Sequence, residues 1–251
     1  MEKIRFFDVC CGVGNSAVKP RPGVAELLAD MDRFGVERAL VYHNCLNTLG
    51  AESANRELPR MLREEDPEHR LTGALCILPS QCPELPPPDR FFAAMKENLC
   101  SAITLDPFSH RYVPCRLTLG AYLDVAEKRR IPVLLNAFAG KWNDLYAFLR
   151  EFPRLQCIFH GGDKWGNDRY IRPLLEAYPG ARVELAGYWV PEGIADLARA
   201  YGPERILWGS GFPQYNQGSS MLQLKQSGLD EAAIALIAGK NFENMLEAAQ
   251  C

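Results

Sequence analysis

No stretch of this chain approaches the roughly 18 consecutive apolar residues that a membrane span requires, so a transmembrane role is not expected. Positive charge is not in excess either. Lys and Arg number 28 against 31 Asp and Glu, giving a net charge of −3. With no run of basic residues, neither a nucleic-acid footprint nor a membrane-surface face is expected. The opening Met1-Glu2-Lys3-Ile4-Arg5 lacks the apolar segment of a signal peptide and leads directly into a strand-like run. No Cys-x-x-Cys pair occurs. The nine cysteines are an odd number, scattered, and Cys76, Cys100 and Cys157 sit inside apolar runs. Buried reduced thiols in a cytoplasmic protein are the expectation. A dinucleotide-binding glycine turn is missing as well: Cys11-Gly12-Val13-Gly14-Asn15 lacks the third glycine of that fingerprint.

What is present is regular alternation. Apolar runs read as strands over 4–10, 39–43, 71–78, 102–105, 132–137, 155–160, 182–186 and 206–209. Such runs imply strands covered on both faces, as in a parallel sheet. Amphipathic segments lie between them. Val24, Leu27, Leu28 and Met31 share one stripe, and Leu58, Met61 and Leu62 share another. Asn143-Asp144 reads as the start of the fifth helix. Eight βα units in 251 residues point to an α/β fold, one (β/α)8 barrel spanning residues 1–251 as a single domain. Function in such a barrel gathers where strands end, so the residues following each run are the candidates.

Four segments resemble the amidohydrolase-related family. Phe7-Asp8-Val9-Cys10 is similar to its first strand. Ile131 to Asn136 is similar to the fifth, and Phe152 to Gly162 to the sixth with its terminal histidine, here His160. Arg205 to Pro213 is similar to the eighth, which usually reads Gly-Ser-Asp-Phe/Tyr-Pro. Gly239-Lys240-Asn241-Phe242 resembles the Gly-x-Asn turn that opens the family's final helix. The resemblance implies hydrolysis or decarboxylation of a small organic acid or amide-like substrate. In the family, a single metal is typically held by two first-strand histidines, a fifth-strand histidine and an eighth-strand aspartate. Those positions here carry Cys10, Gly12, Asn136 and Gly211. Two of them have no ligating side chain, and only Cys10 is a good transition-metal ligand. The expectation is an altered or absent metal centre. A catalytically inactive ligand- or partner-binding protein on the same barrel is the alternative.

The candidate residues follow. His160 is expected as a general acid/base, set against a histidine merely satisfied at a strand end. Cys10 has three readings: a nucleophile activated by His160, a zinc ligand, or a small buried hydrophobe. A rebuilt zinc site would draw on Cys10, His160, His43 and Cys45; otherwise no cofactor is required. Asn136 can orient a substrate carbonyl or simply satisfy loop backbone. Asp106 is either a base or a turn former. Asp163 and Lys164 are candidates for binding a polar substrate, and Trp142, with Tyr188 and Trp189, for an aromatic lining. Cys11, alternating with Cys10, is expected to face the helix layer. Positions 12 and 211 leave volume that neighbours, water or a ligand must fill. The partners expected are a small-molecule ligand and a possible second copy in a homodimer, with no nucleic acid and no membrane.

Overall fold

The computed structural model describes residues 4–16, 18, 20–136, 141–160 and 166–250. The strands are β1 (Phe7–Val13), β2 (Arg38–His43), β3 (Leu71–Cys76), β4 (Cys100–Leu105), β5 (Val133–Asn136), β6 (Cys157–His160), β7 (Arg182–Glu184) and β8 (Ile206–Leu207). They form one eight-stranded sheet in sequence order, and every pair is parallel. The sheet closes on itself. Val9 N donates to the Trp208 carbonyl at 3.1 Å, Gly211 N to the Cys10 carbonyl at 3.1 Å, and Gly12 N to the Phe212 carbonyl at 2.8 Å. The expected (β/α)8 barrel is therefore the observed one. No helix among the described residues is long and apolar enough to cross a membrane.

The helices are α1 (Val24–Phe34), α2 (Ala51–Glu65), α3 (Pro88–Glu97), α4 (Arg116–Arg129), α5 (Trp142–Glu151), α6 (Asp168–Ala177), α7 (Gly193–Tyr201), α8 (Gln217–Lys225), α9 (Glu231–Ala235) and α10 (Asn241–Ala248). From α1 to α7 each buries apolar residues at helical spacing, as the periodicity requires. In α1 the stripe is Val24, Leu27 and Met31, all fully buried. The fifth helix begins at Trp142 rather than at Asn143-Asp144, with Asp144 in its first turn, where a carboxylate suits the helix dipole.

Two apolar layers follow from strand alternation. Val41, Ile103, Val133, Leu135, Cys157, Phe159 and Val183 face the helices. Phe7, Val9, Leu40, Ala74, Ala102, Leu134, Ile158 and Leu207, from every strand but β7, fill the barrel interior. Phe242 and Met245 of α10 plug that interior from the end at which the strands begin, with Phe242 edge-on to Phe7 at 4.9 Å. Asn241 fixes the plug. Its amide donates to the carbonyls of Pro203 (2.8 Å) and Ile206 (2.9 Å). The barrel floor is thus sealed, and its open end is where the strands terminate.

Candidate functional site

A bulge in the first strand determines what faces the open end. Pairing of β1 with β2 shifts register between Asp8 and Cys11. Strict alternation would send Cys10 to the same side as Asp8, away from Phe7 and Val9. The extra residue re-aims it, so Val9 and Cys10 both point inward, as bulges near active sites commonly arrange. Cys11 then packs in the helix-facing layer as expected, and burial pushes its thiol pKa up.

Regular alternation supplies the rest. On β6, Ile158 points inward and so does His160. On β7, Val183 points outward and Glu184 inward. The ligating atoms of Cys10, His160 and Glu184 lie within 4.8 Å of one another, and all three residues are buried. Glu184 is held by the Ala186 amide at 2.7 Å. The space beside it exists because residue 209 is glycine. A Cβ there would collide with the Glu184 carboxylate and lie 2.8 Å from Cys10 Cβ. Tyr42 completes the wall, with its ring edge-on to His160 at 5.1 Å and 84°. Burial pushes its phenol pKa well up, Cys10, Cys11 and Glu184 add to this, and Arg21 opposes it.

Above this layer lies a cavity of about 350 Å³. His160 and Thr104 form its floor, Tyr42, His43 and Asn44 one wall, Gly211 to Gln214 another, and Arg21 with Ser16 its rim. A larger depression of about 660 Å³, lined by Arg116, Asp124, Lys128 and Arg154, runs along α4 on the outside of the barrel. Chemistry in this architecture belongs to the end carrying the cavity with His160.

Cys10 and His160 come together as the sequence suggested, but with Glu184 and not with His43 or Cys45. His43 Nδ1 accepts the Cys45 amide proton at 3.0 Å, capping the turn over Asn44–Asn47. Cys45 is buried among Leu46, Ala51 and Cys76. Asp106 takes the turn-forming role. Its oxygens accept from Ser109 N at 3.1 Å and Ser109 Oγ at 2.8 Å. Trp142 does not line the cavity with His160; it stacks on Tyr170 at 4.8 Å in a separate depression. Tyr188 is buried with its hydroxyl on Asp168, and Trp189 packs against Tyr215. Asn136 ends β5 and pairs in register with His160. Its side chain, with Asp163 and Lys164, lies outside the described residues.

Glu184, Arg21, Tyr42 and Asn44 are residues that sequence reading missed. For Glu184 a signal existed: a carboxylate at the inward parity of an otherwise apolar strand, two residues from Arg182.

Two of the positions where the resemblance places a metal, 12 and 211, are glycines hemmed in by neighbouring side chains. A Cβ at residue 12 would collide with Asn44 Oδ1 and come within 3.2 Å of the Tyr42 ring. A Cβ at residue 211 would lie 2.9 Å from Tyr215 and 3.2 Å from Ala186. Neighbouring side chains occupy both volumes. Among the described residues, Cys10, His160 and Glu184 bring sulfur, nitrogen and oxygen donors from three different strands together, a group that could hold a metal ion.

The His43 cap carries a pH prediction. Accepting a proton requires a neutral ring, and burial holds the His43 pKa below its ordinary value of 6.5, with Glu57 opposing and Arg60 assisting. With the folded value depressed, the contribution is fully present above 6.5 and is lost as pH falls through the folded value. Acidification should therefore speed hydrogen exchange at the Cys45 amide beyond its intrinsic pH trend. His43→Asn, which keeps a capping oxygen, should remove that excess. An unchanged excess in the variant would dismiss the cap as its source.

Comparison with known proteins agrees with this geometry. A family model described as amidohydrolase matches residues 70–246. No curated protein matches the chain in sequence. Among solved structures, a dihydroxybenzoic acid decarboxylase from Polaromonas, with bound manganese and the inhibitor 2-nitroresorcinol, is 15% identical. The match covers 99% of this chain and 98% of that one, with a TM-score of 0.72. A candidate 2-pyrone-4,6-dicarboxylic acid hydrolase from Pseudomonas putida is 15% identical over 100% of both chains, at a TM-score of 0.71. The 5-carboxyvanillate decarboxylase of Sphingomonas paucimobilis is also 15% identical, over 98% and 99%, at 0.65. At that identity these likenesses establish the fold, and the family model, matching well over half of the sequence, adds the lineage: the chain belongs to the amidohydrolase family.

Proposed function

We propose that this protein is an enzyme of the hydrolase or decarboxylase type. It acts on a small organic acid or amide-like molecule in the cavity above His160, at an altered metal centre. One observation carries the reading: a buried imidazole forms the cavity floor, and a thiol and a carboxylate stand within 4.8 Å of it. An imidazole so placed can exchange a proton with a bound substrate near neutral pH. With no metal bound, Glu184 would steady the imidazolium that forms, and Tyr42 holds the ring edge-on; with a metal bound, His160 would be a neutral ligand and the proton role would pass to a bound water. Relatives named as hydrolases and decarboxylases support the reaction class.

The finer part of the proposal concerns the cofactor. The neighbour from Polaromonas holds manganese, an ion that prefers carboxylate and water oxygens. Cys10, His160 and Glu184 suit zinc instead, as the three protein ligands of a catalytic site that leaves a fourth position open. Bound there, zinc would supply Lewis acidity and a water of lowered pKa. Cys10 and Glu184 would then be its anionic ligands, and Gly209 preserves the room they need.

Metal analysis of protein purified without chelator tests the cofactor. One zinc per chain is expected, with large losses in Cys10→Ser and Glu184→Gln. A cobalt-substituted protein should show a thiolate-to-cobalt charge-transfer band that Cys10→Ser abolishes. Turnover by His160→Gln tests the chemistry. A loss of about 10²- to 10⁴-fold is expected for removal of a general acid/base, and undiminished turnover would sink the role. The second reading, a binder without chemistry, is favoured by the filled volumes at Gly12 and Gly211. A tightly held organic molecule in native mass spectra, with neither metal nor turnover, would establish it.

A further inference from the structure

The cavity above His160 is lined by one cation and by no carboxylate among the described residues. The cation is Arg21, half-buried and in no ion pair among those residues. Two hydrogen bonds from backbone amides bring it there. Gly14 N donates to the Pro22 carbonyl at 3.0 Å, and Arg21 N donates to Asn15 Oδ1 at 3.0 Å. They return the chain at Arg21 and Pro22 to the end of β1, and Arg21 lines the cavity together with Asn44, Asn47 and Thr48.

The remaining walls are mixed: Val18, Leu46, Phe212 and Pro213 are apolar, and the polar groups beside them are mostly uncharged. Asn44 spends its Nδ2 on the Gly14 carbonyl at 2.9 Å, which leaves Oδ1 as an acceptor. Asn47, Thr48 and Gln214 add amide and hydroxyl groups, and all three line the cavity. Tyr42 and Phe212 line it, with Tyr42 turned edge-on to His160, while Trp142, Tyr188 and Trp189 are engaged elsewhere. A volume of about 350 Å³ is near the lower end for small-molecule sites.

We propose that this cavity receives a short, hydrophilic, non-aromatic carboxylate. Its carboxylate pairs with Arg21, and Asn44, Asn47 and Thr48 read its hydroxyl, amino or amide groups. The reacting carbon is thereby held over His160. Arginine suits this role, because its planar fork meets a carboxylate with two parallel bonds. The unstacked amide walls discriminate by hydrogen bonding, and a molecule that leaves those groups unpaired is rejected. The inference rests on the reading that substrate binds in this cavity, and it is tested by binding rather than turnover.

The probes are two panels at matched ionic strength: short-chain hydroxy-, amino- and amido-carboxylates, and benzoates. Each aliphatic acid is paired with its neutral methyl ester or amide. Thermal shift and calorimetry should find ligands in the first panel, with the neutral counterparts bound at least about tenfold more weakly, the scale of one charge-assisted contact. Arg21→Gln should lose the same factor, and Arg21→Lys should recover part of it. Equal affinity for benzoates, insensitivity to Arg21→Gln, or no ligand in the aliphatic panel would each overturn the substrate class. Aliphatic binding without any turnover would instead sink the proposed chemistry and leave the substrate class standing.

Discussion

Replacing Asp8 with alanine is expected to cost the protein roughly 3–5 kcal/mol of stability, because it strands several buried donors at once. Asp8 is completely buried. Its Oδ1 accepts from Cys10 N at 3.1 Å and Ser210 N at 2.9 Å, and its Oδ2 accepts from Gln217 Nε2 at 2.8 Å. These bonds join β1, the segment after β8, and α8, the three pieces that close the barrel. They also hold the bulge that turns Cys10 inward. Chemical denaturation should show the loss as a lower midpoint with an unchanged slope, since the surface exposed on unfolding is the same. A cost below about 1 kcal/mol would mean that the closure does not depend on this carboxylate.

Asparagine at the same position should behave differently. The oxygen that receives Cys10 N and Ser210 N is retained. The new amide would face Gln217, whose Oε1 is buried with no hydrogen-bond partner. A flip of Gln217 then supplies the missing acceptor, so Asp8→Asn is expected within about 1 kcal/mol of the natural protein near neutral pH. Burial raises the Asp8 pKa from 3.8, outweighing the bonds from Ser210 and Gln217 that lower it. With the folded value raised, the stabilising contribution is complete below 3.8 and is lost as pH rises through the folded value. Asparagine does not titrate. The variant should therefore gain on the natural protein across that window and run parallel to it above. A gap that is independent of pH would refute the assignment.

Much of this architecture was legible in the sequence. Helix stripes such as Val24, Leu27 and Met31, and runs such as Val133 to Leu135, report burial on one or two faces, and burial is what residue hydrophobicity encodes. The ends of strands were less legible. The first run ends by pattern at Cys10, but β1 continues to Val13, because Cys11 and Val13 pack outward while Gly12 carries no pattern at all. The site was legible only in part. His160 and Cys10 stood out by residue type at strand ends. Glu184 did not, since a carboxylate inside an apolar run reads as a strand edge until the barrel closes around it. His43, Cys45, Asp106 and Trp142 shared the residue types of a site. Cys45, Asp106 and Trp142 are engaged locally instead, in a small apolar cluster, a turn closed on Ser109 and a stack on Tyr170, while His43 both caps a turn and lines the cavity. Local hydrogen bonding with the backbone competes for such side chains, and only coordinates decide that contest. The bulge at Asp8–Cys11 left no mark in composition, although it decides which cysteine joins His160 and Glu184.

Restoring the residues that the family resemblance places at positions 12 and 211 is expected to fail to rebuild the metal cage. In Gly12→His the new Cβ collides with Asn44 Oδ1, and Asn44 is tied by its other amide atom to the Gly14 carbonyl. Either that bond breaks or the ring of Tyr42 moves, and Tyr42 is what holds His160 edge-on. Overpacking of this kind costs about 1–3 kcal/mol. In Gly211→Asp the backbone adds a second penalty. Residue 211 sits at φ +80°, a left-handed conformation that costs a side-chain-bearing residue about 1–2 kcal/mol, and Tyr215 stands 2.9 Å from the new Cβ. The double variant should be less stable than the natural protein by roughly the sum, because the two positions clash with different neighbours. It should take up no additional manganese. Adding Asn44→Gly should return the Gly12→His share alone, giving a coupling between positions 12 and 44 and none between 44 and 211. Stoichiometric manganese in the double variant, at undiminished stability, would show that Asn44, Tyr42 and Tyr215 yield freely. The volumes at Gly12 and Gly211 would then be vacant space that a cation can reclaim, and the case for a centre moved to Cys10, His160 and Glu184 would lose its structural ground.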